Sequence, residues 1–281
     1  MAKSLHFFLL TVLVVFLLSP NVLFSADPLP ERKAGDRMEL TINDVKYVFR
    51  WCPPGTFTMG SPESEAGRYD NETLHQVTLS RGFWMQETEV TNGMWKSVMG
   101  NVPPFDSGIE RPCPGAELPA DWVSWNESQE YVTKLNAMGI APAGFKFSLP
   151  TEAQWEYACR AGTTTAYSFG TTLNREQANI RDKDSSPPEL TNVGSYPANA
   201  WGLRDMHGNV AEWCLGWYGD YPSGDVTDPM GAFSDESPVA VARGGGRYLP
   251  AEFSRSAFRF RSSLSYKCLH YGCRLALIAS E

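Results

Sequence analysis

The chain has 281 residues, 42% of them hydrophobic and 12% aromatic, and its formal net charge at pH 7 is −8. That apolar content can fill a large core, and the acidic balance argues against nucleic acid or anionic lipid as the main partner. The 24 glycines and 20 prolines indicate much irregular structure.

The first residues have the pattern of a secretory signal peptide. Lys3 precedes an apolar run from Leu5 to Leu18, and small or polar residues follow around Ser25. The alternative is a membrane anchor, but the run is shorter than the ~20 residues of a spanning helix, and the pattern favours cleavage. We therefore predict a signal peptide (1–26), a polar leader (27–37) and one domain (38–281) that is secreted or periplasmic, with no stable membrane span.

Short strands are predicted in the first third of the domain. Strands at 38–42 and 46–51 would form a hairpin around Asn43-Asp44, because turn residues separate two alternating segments. Thr91 marks the start of a helix over 92–99 that Gly100 ends. Three further strands are predicted at 56–61, 76–79 and 82–85.

Two capping boxes predict the next helices. The boxes at 124–127 and 151–154 open helices that end at Gly139 and Gly162. Mostly loops follow as far as Ser237. The last predicted strands lie at 239–242, 258–261 and 274–277. The elements together predict the α+β class, as a single compact domain of low regular secondary structure.

The stretch Gly202–Tyr218 concentrates side chains that carry chemistry. Asp205, Asn209 and Glu212 bear oxygens, and Gly208 lets the backbone turn close to them. Ca²⁺ takes several oxygens from carboxylates, amides and backbone carbonyls. A tight turn whose polar side chains satisfy their own backbone is the alternative.

The cysteines and histidines do not by themselves indicate which type of site the protein has. Six cysteines allow up to three disulfides in an exported protein, or they are buried thiols. Outside the signal peptide only His75, His207 and His270 occur, and no spacing proposes a Cys–His or Ser–His–Asp site. The six cysteines are Cys52, Cys113, Cys159, Cys214, Cys268 and Cys273.

Five arginines lie between Arg243 and Arg261, against an acidic background. They predict either a cleft for an anionic or peptide ligand, or ion pairs with buried acids beside the glycine run Gly244–Gly246. The candidate cleft residues are Arg247, Arg259 and Arg261.

Several motifs occur in the order of one known family. They include L-P-T-E-A-Q-W-E-Y-A-C-R from Leu149, G-N-V-A-E-W from Gly208 and R-G-G from Arg243. The chain resembles the formylglycine-generating enzyme family, also called the sulfatase-modifying factor domain, over about residues 38–278. The resemblance implies a fold related to the C-type-lectin-like fold. It also implies an enzyme that oxidises a peptide cysteine to formylglycine with O₂ and copper.

This sequence departs from the family at the copper site. The family holds copper with two thiolates after the R-G-G element, and soft thiolates suit Cu(I). Here residues 244–261 contain no cysteine; the second thiolate position falls near Ala257 and the first between Leu249 and Glu252. The family's serine after the two glycines is Gly246, and its tryptophan in G-N-x-W-E-W is Ala211.

The two cysteines near the C-terminus offer a substitute copper pair. Cys268 and Cys273 would supply its thiolates, with a disulfide or packed thiols as the alternative. The resemblance also makes Cys159–Cys273 a candidate bridge.

The family's calcium sites are better preserved. Asp205 and Glu212 would give carboxylates, and Gly208 and Val210 backbone carbonyls. A second site would use Asn179 and the Ile180 carbonyl, with its remaining ligands in a shortened loop near 182–187.

The sequence therefore predicts an exported, calcium-stabilised family member that lacks copper-dependent cysteine oxidase activity. It would bind a peptide or protein ligand or catalyse another reaction. The alternative is an active sulfatase-modifying oxidase, and copper is expected only in that case.

Overall fold

The N-terminal hairpin forms as predicted. Strands β1 (Arg37–Ile42) and β2 (Val45–Cys52) pair antiparallel with Ile42 opposite Val45. Asn43 and Asp44 both take positive φ, at 48° and 63°, which is the turn geometry that matches the twist of two adjacent strands. The computed structural model describes residues 32–103, 115–231 and 239–280; the predicted signal peptide and Cys113 lie outside these ranges.

The hairpin extends into a five-stranded sheet in which the last strand of the chain, β12 (Ala276–Ala279), is an inner strand. The order is β1-β2-β5-β12-β6, where β5 is Phe83–Gln86 and β6 is Phe145–Ser148. Residues assigned to the leader also join this body: the Gly35 amide donates to the Trp51 carbonyl, and the Arg32 guanidinium lies 4.7 Å from the Trp51 ring centroid. The compact unit therefore begins at Arg32.

Two smaller sheets complete the strands. One has the order β10-β9-β7-β11, with β7 Ala211–Trp217, β9 Val239–Arg243, β10 Phe260–Ser263 and β11 Tyr271–Cys273. The other has the order β3-β4-β8, with β3 Gly55–Met59, β4 His75–Leu79 and β8 Val226–Thr227. β11 runs parallel to β7, which sets residues near 270 beside residues near 210.

The three predicted helices are confirmed, each with a capping box. They are α1 (Asn92–Met99), α2 (Trp125–Ala137) and α3 (Glu152–Arg160). Their N-cap side chains, Thr91, Ser124 and Thr151, accept hydrogen bonds from the third helical amide. This satisfies donors that a helix start leaves free.

The helices pack onto two core clusters. In the first, the rings of Trp95 on α1 and Tyr131 on α2 stack at 5.0 Å, and the Tyr131 hydroxyl lies 2.7 Å from that of Tyr47. In the second, Trp155 and Cys159 of α3 pack against residues of β3, β4 and β7. No helix among the described residues is long and apolar enough to cross a bilayer.

The last predicted strands are displaced. The strand predicted at 258–261 begins at Phe260, and that at 274–277 begins at Ala276 as β12; β11, which ends at Cys273, was not predicted. β7 was not predicted, because its strand residues form part of a loop-like stretch rich in glycine. Alternation gives the faces of a strand, but the partner decides where pairing begins.

Candidate functional site

The loop before β7 needs its glycine. Asp205, Gly208 and Asn209 all take left-handed backbone conformations, with φ of 58°, 91° and 57°. A Cβ at Gly208 would lie 2.5 Å from the Asn179 carbonyl oxygen, so a larger residue cannot fit. The same carbonyl accepts a hydrogen bond from the Asn209 amide at 2.8 Å. The structure thus brings Asn179 against the Asp205–Glu212 loop, although the two belong to different predicted calcium sites.

Three buried carboxylates surround one guanidinium beside this loop. Glu89, Asp205 and Glu212 are 0%, 5% and 0% exposed, and Arg274 is 0% exposed. Arg274 donates from Nε and Nη2 to Glu212 at 2.9 and 2.6 Å, and its charge also acts on the other two acids. The cluster, when ionised, carries an excess of two negative charges that burial makes costly.

Two oxygens of this cluster lack a donor. Among the described residues, no N–H or hydroxyl group donates to Glu89 Oε2 or Asp205 Oδ1, and the two buried carboxyl groups lie within hydrogen-bond reach of each other. Their companion oxygens are used: Glu89 Oε1 accepts from Asn209 Nδ2 at 3.0 Å, and Asp205 Oδ2 accepts from the Gly194 amide at 2.5 Å. Burial and the neighbouring Asp205 carboxylate raise the pKa of Glu89 well above its ordinary value, and burial raises the pKa of Asp205.

These residues fit a hard cation. Ca²⁺ prefers carboxylate and carbonyl oxygens, and two unpaired carboxylate oxygens face an excess of negative charge. No three His, Cys, Asp or Glu side chains converge on one metal position within the described residues, so backbone carbonyls such as those of Gly208 and Val210 would complete the set. Glu89 was not predicted as a ligand; it follows β5 by three residues and only tertiary packing places it here.

Other predicted calcium residues have different partners. Both Glu212 oxygens are engaged, since Trp155 Nε1 also donates to Oε2 at 2.6 Å. The Asn179 side-chain amide donates to the Glu189 carbonyl at 2.9 Å and to Asn209 Oδ1 at 3.0 Å. Ile180 is buried beside Gly208. Glu212 therefore anchors Arg274, and Asn179 fixes the loop.

Arginines at the end of β9 and after it pair with buried acids. Arg259 makes a bidentate ion pair with Glu152, at 2.7 and 2.9 Å, and Arg243 contacts both Glu152 and Glu156. Burial alone would raise the pKa of Glu152, but the guanidinium groups of Arg259 and Arg243 outweigh it and lower the pKa. Glu152 is therefore ionised in the folded protein.

A cavity of about 310 Å³ lies beside this ion pair. Its walls are largely apolar, and its polar groups are the Glu152–Arg259 pair, Tyr221, whose ring lies 3.9 Å from the guanidinium, His75 and Asp220. Its lining residues are Met59, His75, Glu152, Ala153, Gly219, Asp220, Tyr221, Pro222, Val226, Pro229, Met230, Gly231 and Arg259. Apolar cavities with a few convergent polar groups are the usual form of ligand sites.

The predicted cleft arginines are not all together. The exposed Arg261 shares the Tyr218 ring with Arg259, at 5.2 and 4.5 Å. Arg247 is elsewhere: it donates to the Pro188 carbonyl at 2.6 Å and to the Tyr248 hydroxyl at 2.5 Å. The structure thus divides the predicted cleft into two places.

The cysteine predictions need correction. All five cysteines that the structure describes are free thiols, so the candidate bridge Cys159–Cys273 is not formed. Cys159 packs in the second core cluster, 3.7 Å from His207 Nε2, whereas Cys273 packs in the first. The thiol of Cys268 is half-buried and lies 3.4 Å from His270 Nε2. A histidine is therefore one of its hydrogen-bond partners.

The two positions matched to the family's copper thiolates differ in burial, and residues 249–252 are half-buried or exposed. Ala257 is 0% exposed, and its carbonyl accepts from Arg243 Nη1 at 2.8 Å. The matched stretch before it runs into a 3₁₀ turn at Ala251–Ser254. Neither position offers a side chain that binds a soft metal.

Comparison with known families agrees with the resemblance. The family model for the sulfatase-modifying factor enzyme 1-like domain matches residues 46–279. The formylglycine-generating enzyme of Mycobacterium tuberculosis is 28% identical over an alignment of 292 residues, gaps included, that covers 79% of this chain and 95% of that protein. The serine/threonine-protein kinase pkn1 of Chlamydia caviae is 30% identical over 246 residues, covering 79% of this chain and 36% of that protein. The chain thus spans about a third of the length of the Chlamydia relatives that it matches.

Solved structures show the same architecture. PvdO from Pseudomonas aeruginosa superposes with a TM-score of 0.72 at 28% identity, over 88% of this chain and 99% of that one. Treponema denticola variable protein 1 gives 0.71 at 24% identity, over 85% and 98%. The predicted fold class is confirmed: an α+β domain with the formylglycine-generating-enzyme fold, related to the C-type-lectin-like fold.

Proposed function

Because the chain belongs to the family of sulfatase-modifying factor enzyme 1-like domains, we propose that it is an exported, calcium-stabilised binding protein without copper-dependent cysteine oxidase activity. The N-terminal pattern of a charged residue, an apolar run and small residues supports export. The alternative is an active oxidase, because the similar M. tuberculosis protein is named a formylglycine-generating enzyme.

The observation that carries the calcium proposal is the excess of buried carboxylates. Three acids face one arginine, and two oxygens, on Glu89 and Asp205, lack a donor among the described residues. A divalent cation would cancel the excess negative charge, and both oxygens would coordinate it. Asp205 and Glu89 would then be ligands, with the Gly208 and Val210 carbonyls. Glu212 would hold Arg274 beside them.

The binding proposal rests on the cavity beside Arg259. A peptide would place an apolar side chain between Met59 and Met230, and a polar group near the ionised Glu152 carboxylate. Selection of displayed peptides would test this. We expect selected peptides to bind the wild type, and to lose binding at least tenfold in Met230→Trp, which narrows the mouth from a partly exposed position. Equal binding to both proteins would place the ligand elsewhere.

The loss of oxidase activity is proposed because the thiolate positions are Ala257 and the cysteine-free stretch before it. The protein is incubated with Cu(I), O₂ and a C-x-P-x-R peptide, and the product mass is measured, with the M. tuberculosis enzyme as the positive control. We expect no aldehyde. Aldehyde that disappears in Cys268→Ser would establish the alternative oxidase with a relocated thiol.

Calcium is tested by thermal unfolding with calcium and with EGTA. At free calcium 100 times the Kd, binding stabilises by about 2.7 kcal/mol, which is roughly 5–10 °C in a domain of this size. Asp205→Asn and Glu89→Gln should abolish the difference. In EGTA they should melt no lower than the wild type, because each removes a repelling charge.

The matched control is Asp70→Asn, since that carboxylate is fully exposed and should leave the calcium response intact. Elemental analysis of the wild type, before and after calcium is added, shows whether it binds the ion. The site is refuted if neither sample contains calcium and EGTA does not change the melting temperature.

A further inference from the structure

The structure pairs a thiol with an imidazole at a place where this chain departs from its family. We propose that Cys268 is a nucleophile and His270 its general base, in a site that takes small electrophiles bearing an anionic group held by Arg247. This activity goes beyond the proposed binding function and does not depend on it.

The geometry of the pair suits proton transfer. Cys268 Sγ lies 3.4 Å from His270 Nε2, within hydrogen-bond distance for sulfur. A nucleophile and base must lie within such reach of each other. Both side chains are half-buried, so a small reagent can reach them, whereas the other four described cysteines are buried.

The backbone of two neighbouring segments packs closely against His270. A Cβ at Gly246 would lie 3.1 Å from the His270 Cβ, which is a tight contact for any residue larger than glycine. The His270 carbonyl accepts from the Ala211 amide at 2.6 Å. Gly246 and Ala211 are the two positions where the family pattern has serine and tryptophan. The glycine at position 246 therefore accommodates His270, and the Ala211 backbone holds the His270 carbonyl.

Arg247 gives the site its charge preference. It is 8% exposed, its guanidinium lies 4.1 Å from the Tyr248 ring centroid, and its Nε has no acceptor among the described residues. Its charge also acts on His270, and together with burial it lowers the pKa of that imidazole. An anion bound to Arg247 would cancel this charge, so His270 would accept a proton more readily.

Other groups facing the pair keep the resting thiol neutral. Burial raises the pKa of Cys268 to about 11; the backbone amides of His270 and Tyr271 and the Tyr266 hydroxyl oppose this, and the Asp121 carboxylate adds to it. The rings of Tyr248 and Tyr271 lie 6.1 and 5.0 Å from the His270 ring centroid. Without a base, the thiolate fraction at pH 7 would be on the order of 10⁻⁴. Reaction near neutrality therefore requires His270.

The chemistry balances without an oxidant. With iodoacetate, the Sγ–C bond forms, the C–I bond breaks, iodide leaves and the thiol proton goes to His270 Nε2. With an activated ester, Cys268 Sγ bonds to the acyl carbon, the acyl C–O bond breaks, and His270 passes the thiol proton to the leaving oxygen, which gives a thioester and an alcohol.

Labelling of the native protein with iodoacetate and iodoacetamide tests the proposal. The readout is the rate of modification of the Cys268 peptide by mass spectrometry, with glutathione as an internal reference thiol. We expect Cys268 to react with iodoacetate at least as fast as glutathione at pH 7. His270→Gln should slow it at least tenfold. Arg247→Gln should slow the labelling of Cys268 by iodoacetate at least fivefold and change labelling by iodoacetamide less than twofold. Arg175 is an exposed arginine, so Arg175→Gln should change neither rate.

The wild-type pH profile tests the base even if a variant does not fold. A histidine-assisted thiol should react at a nearly constant rate between pH 7 and 9, because a neutral base is already present. A rate that rises tenfold per pH unit over that range would overturn the proposal. So would a Cys268 rate at pH 7 more than tenfold below that of glutathione, or a folded His270→Gln protein that is labelled as fast as the wild type.

Discussion

Arg274 is the residue whose removal should destabilise this protein most clearly. It is 0% exposed and makes two hydrogen bonds to Glu212. It also donates to the carbonyls of Gln86, Glu87 and Arg204, at 3.0, 2.7 and 2.9 Å. One side chain thus joins the end of β5, the loop before β7 and β7 itself.

The expected magnitude follows from these contacts. Removing one partner of a buried ion pair costs about 3–5 kcal/mol, and here three backbone carbonyls also lose their donor. The free energy of unfolding of a domain is about 5–15 kcal/mol. Arg274→Met should therefore remove at least about a fifth of the stability. Arg274→Lys keeps the charge but not the fork of donors, so it should fall between Arg274→Met and the wild type.

Urea unfolding followed by tryptophan fluorescence measures this effect. Arg175→Met is the matched control, because it breaks the exposed Arg175–Asp182 pair and should cost less than about 1 kcal/mol. Glu212→Gln combined with Arg274→Met should be less destabilised than the sum of the single changes, since it removes an unpaired buried charge. An Arg274→Met protein within about 1 kcal/mol of the wild type would refute this account of the cluster.

Three further predictions concern local features. The lowered pKa of Glu152 stabilises the fold fully above the unfolded-state pKa of ~4.3; this contribution is lost as pH falls through the folded pKa. Unfolding free energy between pH 5 and 3 should fall less in Glu152→Gln, and equal slopes would contradict the ion-pair argument. Gly208→Ala should cost about 2 kcal/mol or more in urea unfolding, because its Cβ meets the Asn179 carbonyl. Gly144→Ala, also at positive φ but in open space, should cost only about 1 kcal/mol, and equal costs would show that the contact is unimportant. Thr151→Ala should lower the free energy of unfolding by about 1 kcal/mol through the lost cap, and restoration by Thr151→Ser would distinguish capping from packing.

The elements predicted correctly are those specified by neighbours in sequence. The turn at Asn43-Asp44 and the caps at Thr91, Ser124 and Thr151 depend on interactions within a few residues. Their chemistry is the same in any fold, so the sequence alone predicts them. The motifs around Gly208 likewise indicated the family and a backbone turn at that glycine.

The candidate sites needed contacts between distant segments. Glu89 faces Asp205 across 116 positions of sequence because β5, β12 and the loop before β7 pack together. The sequence directed attention to Cys268 with Cys273, but the free thiols lie in different surroundings, and Cys268 faces His270. A short Cys-x-His spacing does not fix this geometry; the turn that leads into β11 does.

The sequence by itself determined the local turns, the helix starts, the family and the missing thiolates after the R-G-G element. Only the tertiary structure decided which acids share Arg274, which arginine lines the cavity, and that Gly246 leaves space for His270. The physical reason is that burial and long-range packing set the charge balance and free volume around a side chain, and neither is a property of neighbouring residues in the chain.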